Sequence, residues 1–414
     1  MYFCIMSKKL IPAYLLTFVN VLGFSILMPV LPFIVNDYGA PKWVFGLLLT
    51  LYSTFQFLGA PFLGSLSDTK GRKPILLISQ AGTLLSWIIF ACALLLPDFP
   101  VFGLALPLLI IGLSRILDGI TGGNVSTTNA YVSDITTRKE KSYVFGYLGG
   151  IAGLGFIVGP ALGGFSASSS IGYLGTVLVS MGISVITLLT IIFWLKESHP
   201  EEKRVPRNRQ PMWKSIFIVR RVRELNPSPL IKSLFILKAF FASMMAFYIA
   251  SISLYLIDLF KFDEGELGMF LLVAGAFLAF NQAFLSKQFI KRLGEFRTLL
   301  IGLGLSTIGL VAITLTSDLY WFIGFYYILN LGLSLSFPTF NALITIHANP
   351  KKQGEILGIS ESINSLATAV FPVLSAALYG IIGYQLYYII AALPLIAFIL
   401  ALSTIKRLGK NAFN

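Results

Sequence analysis

Residues 64–74 read GSLSDTKGRKP and lie between two apolar stretches, 43–66 and 75–96. Each stretch is long enough to cross a bilayer, which takes about 20 residues. Asp68, Lys70, Arg72 and Lys73 therefore make a charged hairpin at a membrane face. Stretches of the same kind tile nearly the whole chain, at 9–33, 43–66, 75–96, 102–130, 143–165, 171–195, 230–257, 267–286, 298–316, 319–345, 356–380 and 383–405. Composition agrees: the 414 residues are 56% hydrophobic and only 12% charged, with mean hydropathy +0.82. A soluble domain carries about a quarter charged residues. The expected fold class is an all-α membrane protein with about twelve transmembrane helices.

An even number of spans puts both termini on one side, and the basic residues say which. With Met1 in the cytoplasm, the inner segments hold Lys8 and Lys9, then Lys70, Arg72 and Lys73, then Arg138, Lys139 and Lys141. They also hold the dense run 196–232, then Lys287, Lys291, Arg292 and Arg297, Lys351 and Lys352, and finally Lys406, Arg407 and Lys410. The outer segments hold Lys42 and Lys261. The positive-inside rule demands this asymmetry, so both termini are expected in the cytoplasm. The net charge of +13 is then an orientation signal, aided by anionic lipid, and makes no case for nucleic acid. The first apolar segment is too long for a cleavable leader and lacks a small-residue cleavage site. Two cysteines and two histidines stand apart from one another, so no metal and no cofactor is expected.

The chain reads as two related halves, 1–195 and 230–414, joined by a polar linker at 196–229 rich in proline and charge. Within the linker Trp213, Ile216, Phe217, Val219 and Val222 alternate with Lys214, Arg220, Arg221 and Arg223. That pattern suits either a short basic helix on the membrane surface or a disordered connection. Gly146 to Pro160 is matched by Gly358 to Pro372 at an offset of 212, and Thr127 and Asn129-Ala130 fall on Thr339 and Asn341-Ala342 at the same offset. The charged hairpin recurs in degraded form around Gly294, with Lys291 and Glu295 where Asp68 and Arg72 stood. Two pseudo-symmetric six-helix bundles follow, with a binding site expected near the membrane midplane.

Two segments carry most of the polar and small residues that a buried helix must justify. LSRILDGITGGNVSTTNAYVSD, from Leu113, puts Arg115 and Asp118 on one helical face, continued by Gly122, Ser126 and Asn129. An arginine in the bilayer costs ~2.5–3.5 kcal/mol even on the lenient insertion scale, so it faces protein or a wet cavity. The pair either fixes packing or serves function; function is preferred, because an inert pair could be replaced by apolar residues at little cost. GYLGGIAGLGFIVGPALGG, from Gly146, repeats glycine at Gly155, Gly159 and Gly163, a groove for close helix approach. Pro160 invites a bend there.

The Gly64, Asp68, Gly71 and Arg72 spacing resembles the loop between helices 2 and 3 of the major facilitator superfamily. Arg115, Gly119 and Gly122 resemble the helix-4 motif of its proton-coupled drug exporters, and Gly159-Pro160 followed by Gly163-Gly164 resembles its antiporter helix-5 motif. NVLGFSILMPVLP, with Gly23, Pro29 and Pro32, resembles the first helix of the tetracycline-resistance efflux group. That group often carries an aspartate where this chain has Asn20, so a proton site must lie elsewhere. The resemblance spans nearly the whole chain. It implies a drug:proton antiporter of the cell membrane that exports a small amphipathic organic molecule by alternating access, with lipid as solvent. A monomer is expected.

On that resemblance, Arg115, Asp118 and Glu361 are the proton-coupling candidates. Lys238, at a depth similar to Glu361, reads as a snorkelling or gate-forming partner. Gly64, Asp68, Gly71 and Arg72 are expected to gate, with Asp68 near a helix N-terminus where a carboxylate is favoured. Gly155, Gly159, Pro160 and Gly163 are expected to gate with them. Asn20, Tyr52, Gln56, Asn129, Tyr248, Tyr255, Tyr326 and Asn330 are expected to line the substrate cavity, since aromatic walls with sparse amides suit an amphipathic molecule. The alternatives are a metabolite facilitator or importer, and a membrane sensor that transports nothing. No nucleophile or histidine cluster suggests an enzyme.

Overall fold

In hydrocarbon no water is available to the backbone, so each crossing segment must satisfy its own N–H and C=O groups as a helix. The computed structural model, which describes residues 10–137, 140–204, 218–348 and 352–408, is built in that way. The first crossing is Ile11–Ser25, a turn that contains Pro29, and Leu31–Asp37. Trp43–Lys70 and Arg72–Leu94 follow, then a minimal hairpin of Pro100–Val101 and Leu104–Ala105. The fourth crossing is split into Leu106–Gly122 and Val125–Ile135, and Lys141–Ala167 and Tyr173–Trp194 complete the first six.

After the short helix Ile218–Leu225 come Pro229–Phe260, then Glu264–Phe280, which continues through a π-helical turn at Asn281–Ser286 into Lys287–Leu293. Glu295–Ala312, Leu319–His347, Gln353–Ile382 and Leu386–Leu408 are the last four. Among the described residues, ten stretches are long and apolar enough to cross a membrane; with Gln353–Thr404 read as two crossings and the broken first segment added, they make the twelve-crossing arrangement expected from the hydropathy pattern. Of the two readings left open for the linker, the described part holds a helix, Ile218–Leu225. Trp213, Lys214, Ile216 and Phe217 lie outside the described residues, as do Lys8, Lys9, Arg138, Lys139, Lys351 and Lys410 of the charge pattern.

The chain divides into two compact units, Met1–Lys214 with Asp263–Leu272, and Ser215–Phe262 with Val273–Asn414. The internal repeat is visible in the elements. Lys141–Ala167 and Gln353–Ile382 begin 212 residues apart, and each contains a proline, Pro160 and Pro372, at that same offset. Gly71 and Gly294 both precede a helix in a left-handed conformation, at φ 95° and 79°, so the degraded second hairpin keeps the backbone shape of the first.

Lipid tails are as apolar as leucine, so helices associate through close packing rather than hydrophobic burial. The first unit shows this between its second and fourth crossings. A β-carbon at Gly123 would lie 2.5 Å from Ala60 N, and one at Gly59 2.5 Å from Ile120 O. The sequence pattern implies one continuous fourth helix, but the structure breaks it at Gly123 and Asn124. Gly122-Gly123-Asn124 is a run of weak helix formers, and the close approach to Gly59 and Ala60 fixes the turn.

Candidate functional site

The hairpin at 64–74 is organised around Arg72. Its Nη1 donates to Ser67 Oγ and Asp68 Oδ1, each at 2.6 Å, and its Nε donates to Asp134 Oδ2 at 3.2 Å. The guanidinium is buried while Asp68 is half exposed. Glu197, just past the sixth crossing, caps the third helix: its carboxylate accepts from Arg72 N at 2.9 Å and Lys73 N at 3.1 Å. Asp68 itself lies in the last turn of Trp43–Lys70. The carboxylate favoured at the helix N-terminus is therefore Glu197, and Asp68 serves Arg72 instead. Gly71 must be glycine twice over, for its positive φ and because a β-carbon would lie 2.6 Å from Glu197 Oε2. Gly64 packs against Ser126 of the fourth crossing.

This geometry predicts that Arg72→Lys will not substitute for arginine, because one ammonium cannot reach Ser67, Asp68 and Asp134 with a fork's geometry. Charge-assisted hydrogen bonds contribute about 1.5–3 kcal/mol each when buried, less for the exposed Asp68. Both Arg72→Lys and Arg72→Ala should lower the unfolding midpoint in detergent and slow transport. Wild-type flux and midpoint in the lysine variant would reduce the hairpin to a topology signal.

Deeper in the same unit, Arg115 Nη1 donates to Asp118 Oδ2 at 3.1 Å, with side chains only 2% and 4% exposed. The guanidinium lies over Trp87 at 4.6 Å and Phe90 at 5.3 Å from the ring centroids, contacts that strengthen when desolvated. Among the described residues its Nε and Nη2 find no hydrogen-bond acceptor. Beside it is a small cavity lined by Gly23, Phe24, Leu27, Leu48, Tyr52 and Arg115 among others, with a volume of about 10 Å³. That is room for about one water and not for an organic substrate. Gly23 is small enough for the first crossing to pass Asp118, since even a β-carbon there would lie 3.7 Å from Oδ2.

A polar network lies in the same unit. Tyr52 Oη donates to Asn20 O at 3.1 Å, and Gln56 Nε2 reaches Tyr52 Oη at 3.1 Å and Gly122 O at 3.3 Å. Asn20 Nδ2 donates to Asn124 Oδ1 at 2.6 Å, and Asn124 Nδ2 donates to Ser79 Oγ at 2.6 Å. Ser79 Oγ in turn donates to Thr121 O at 2.6 Å. On an unbroken helix Asn124 would lie off the Arg115–Asp118 face, and the break at Gly123 and Asn124 is what brings it to Asn20. The GGN triplet was the available signal for a turn. Past the break, Asn129 is exposed, away from the Asn20 network. Gly155, Gly159 and Gly163 all face the first crossing: β-carbons there would meet Val21, Ser25 Oγ and Ile26 O respectively. Ser25 Oγ also donates to Gly155 O at 2.9 Å, and Pro160 is buried in the same helix.

In the second unit, Tyr248 and Tyr326 share a hydrogen bond of 2.5 Å, and Tyr255 Oη donates to Ile313 O at 3.0 Å. All three tyrosines are buried. Asn330 Nδ2 donates to Ala274 O at 2.8 Å, and Tyr327 Oη donates to Asn281 Oδ1 at 3.2 Å, where the π-helical turn begins. Shifted by 212 residues, Arg115 and Asp118 fall on Tyr327 and Asn330. The repeat thus keeps a polar cluster at this position but makes it neutral. Lys238 Nζ meets Ser360 Oγ at 2.6 Å, Asn341 Oδ1 at 3.1 Å and Glu361 Oε1 at 3.5 Å. The lysine is buried and Glu361 is largely exposed.

A duplicated set of six helices, small-residue helix contacts and a buried ion pair describe a multi-pass membrane protein built from a repeat. The chain belongs to the Major Facilitator Superfamily, whose family model matches residues 13–366. It is 28% identical to the class H tetracycline resistance protein of Pasteurella multocida over 91% of this chain and 90% of the relative. It is 29% identical to the class G tetracycline resistance protein of Vibrio anguillarum over 91% of each. Its fold is shared by the crystal structure of the human organic anion transporter MFSD10, with TM-score 0.69 and 22% identity over 95% of this chain and 99% of that one.

Proposed function

We propose that the chain is a proton-coupled exporter that moves small amphipathic organic molecules out across the cell membrane by alternating access. Both termini lie in the cytoplasm, and residues 1–195 and 230–414 work as the two bundles about the 196–229 linker. It works as a monomer in lipid. The reading draws on the tetracycline resistance proteins among its relatives and rests on one observation, the buried Arg115–Asp118 pair.

Asp118 is the one acidic side chain buried among the described residues. While ionised it compensates Arg115; once protonated it leaves a buried guanidinium with its stacking partners alone. Losing one member of a buried pair is destabilising by about 3–5 kcal/mol, so loading the proton is strong enough to shift helix packing around Asp118. A few-kcal/mol bias is what a two-state equilibrium needs. The neutral counterpart in the second unit, Tyr327 and Asn330, leaves the first unit as the place where this charge change occurs. Arg115 tunes Asp118, and Glu361 is the second acid to test. Asn20, Tyr52, Gln56, Asn129, Tyr248, Tyr255, Tyr326 and Asn330 are assigned to substrate passage, with the hairpin around Arg72 and the glycine groove supporting the change of state.

The test is flux in proteoliposomes with tetracycline and a panel of amphipathic dyes. An imposed pH gradient should drive accumulation against the concentration gradient, and a protonophore should abolish it. Equal flux with and without the gradient would make the chain a facilitator.

A further inference from the structure

Lys238 is the one charged side chain buried in the second unit among the described residues, and nothing in the proton cycle above uses it. It sits nine residues beyond the start of Pro229–Phe260, roughly 14 Å along the helix at 1.5 Å per residue. Its ammonium has three donors, and all three are engaged, by Ser360, Asn341 and Glu361. The partners are unequal. Two are neutral and near, while the only counter-charge is the farthest at 3.5 Å.

Glu361 is also the least confined partner. Its side chain is 66% exposed, and its other oxygen accepts from Asn364 Nδ2 at 3.2 Å. A carboxylate exposed on the crossing helix Gln353–Ile382 is expected to face water or a ligand and not hydrocarbon. A second cation stands close by. Arg221, on the helix Ile218–Leu225, donates to Ser362 Oγ at 3.2 Å, and a β-carbon on Gly358 would lie 3.4 Å from its Nη2. Around residues 358–364, then, two cations face one acid, and that acid is the exposed member. Ala242, one turn along from Lys238, packs with the partly buried Ile363 and Phe371, an apolar surface beside the ammonium.

The geometry points to an anion site: Lys238, Ser360 and Asn341 bind the carboxylate, or a comparable anionic head, of an organic acid, and Glu361 is its built-in competitor. When the acid arrives, Glu361 gives up the third donor of the ammonium and turns to solvent and Asn364, while the apolar body of the ligand lies toward Ile363 and Phe371. The substrate class is thereby an amphipathic organic anion. The assignment rests on the transporter reading above, but the binding it requires needs no proton gradient, so the two can fail separately.

The experiment uses the full chain in detergent and three pairs of probes: 1-naphthoate, 9-anthracenecarboxylate and 1-pyrenecarboxylate, each against its methyl ester. Binding is read from the shift in unfolding midpoint and from quenching of tryptophan fluorescence. At least one acid should bind the wild type while its ester does not, and Lys238→Gln should lose that binding by tenfold or more. Glu361→Gln, which keeps the lysine and its neutral partners, should bind the acid about tenfold more tightly, the scale of one charge-assisted hydrogen bond. A purely structural ion pair gives the opposite sign, since removing its acid cannot improve binding. The assignment is overturned if no acid binds, if acids and esters bind alike, if Lys238→Gln binds as the wild type does, or if Glu361→Gln binds no more tightly.

Discussion

Asp118→Asn should abolish gradient-driven accumulation while leaving substrate binding and counterflow in place. Asparagine preserves size and hydrogen bonding, so the change isolates the titratable charge. It also strands Arg115, whose guanidinium is 2% exposed and whose Nη1 bond to Asp118 Oδ2 is 3.1 Å. The expected loss of stability is about 3–5 kcal/mol, a large share of the ~5–15 kcal/mol that holds a typical domain together. Instability alone could silence transport, and a second variant separates the two causes. Replacing both members by apolar residues, Arg115→Met with Asp118→Leu, removes the unpaired charge and should recover the unfolding midpoint, because an apolar pair is often as stable as a buried ion pair. It should still fail to accumulate substrate. A double variant that transports uphill would make the pair a packing device. Glu361→Gln belongs in the same experiment and should retain uphill transport; if it loses transport while Asp118→Asn keeps it, the proton site moves to the eleventh crossing.

Topology was legible because a bilayer enforces it locally. Length and apolarity are properties of contiguous residues, and the boundaries of Trp43–Lys70 or Gln353–Ile382 follow from them within a few residues. The Arg115–Asp118 contact was legible for the same reason, since partners three apart on a helix meet by geometry alone. Contacts between crossings were not. Nothing local says that Glu197 caps Arg72–Leu94 from 125 residues away, or that Asp134 and Arg72 meet. Nor does the sequence show that Tyr248 and Tyr326 hydrogen-bond each other. The break at Gly123-Asn124 was half visible. Helix propensity flagged it, but only the approach of Gly59 to Ile120 shows why the turn is needed, and with it why Asn124 meets Asn20.

The fifth crossing offers a comparison within one helix, and the expected outcome is a sharp asymmetry among glycines. Gly163→Ala should be severely destabilising, because the new β-carbon would overlap the backbone carbonyl of Ile26, which cannot rotate away. Gly159→Ala overlaps Ser25 Oγ, a side-chain atom that also donates to Gly155 O, so relief there breaks a buried hydrogen bond. Overpacking typically costs about 1–3 kcal/mol where side chains can adjust, and a clash with backbone belongs at or above the top of that range. Gly153, in the same helix, has nothing within 4 Å of a β-carbon, and Gly153→Ala should be neutral or stabilising by up to about 1 kcal/mol through helix propensity. Unfolding midpoints of the three variants in detergent, read beside flux in proteoliposomes, decide the matter. The groove matters to function if Gly159→Ala lowers flux by more than its fraction unfolded explains, since the first crossing carries Asn20 and passes Asp118 at Gly23. If Gly159→Ala and Gly163→Ala unfold and transport like Gly153→Ala, the glycine spacing does not hold the first and fifth crossings together, and the groove drops out of the proposed change of state.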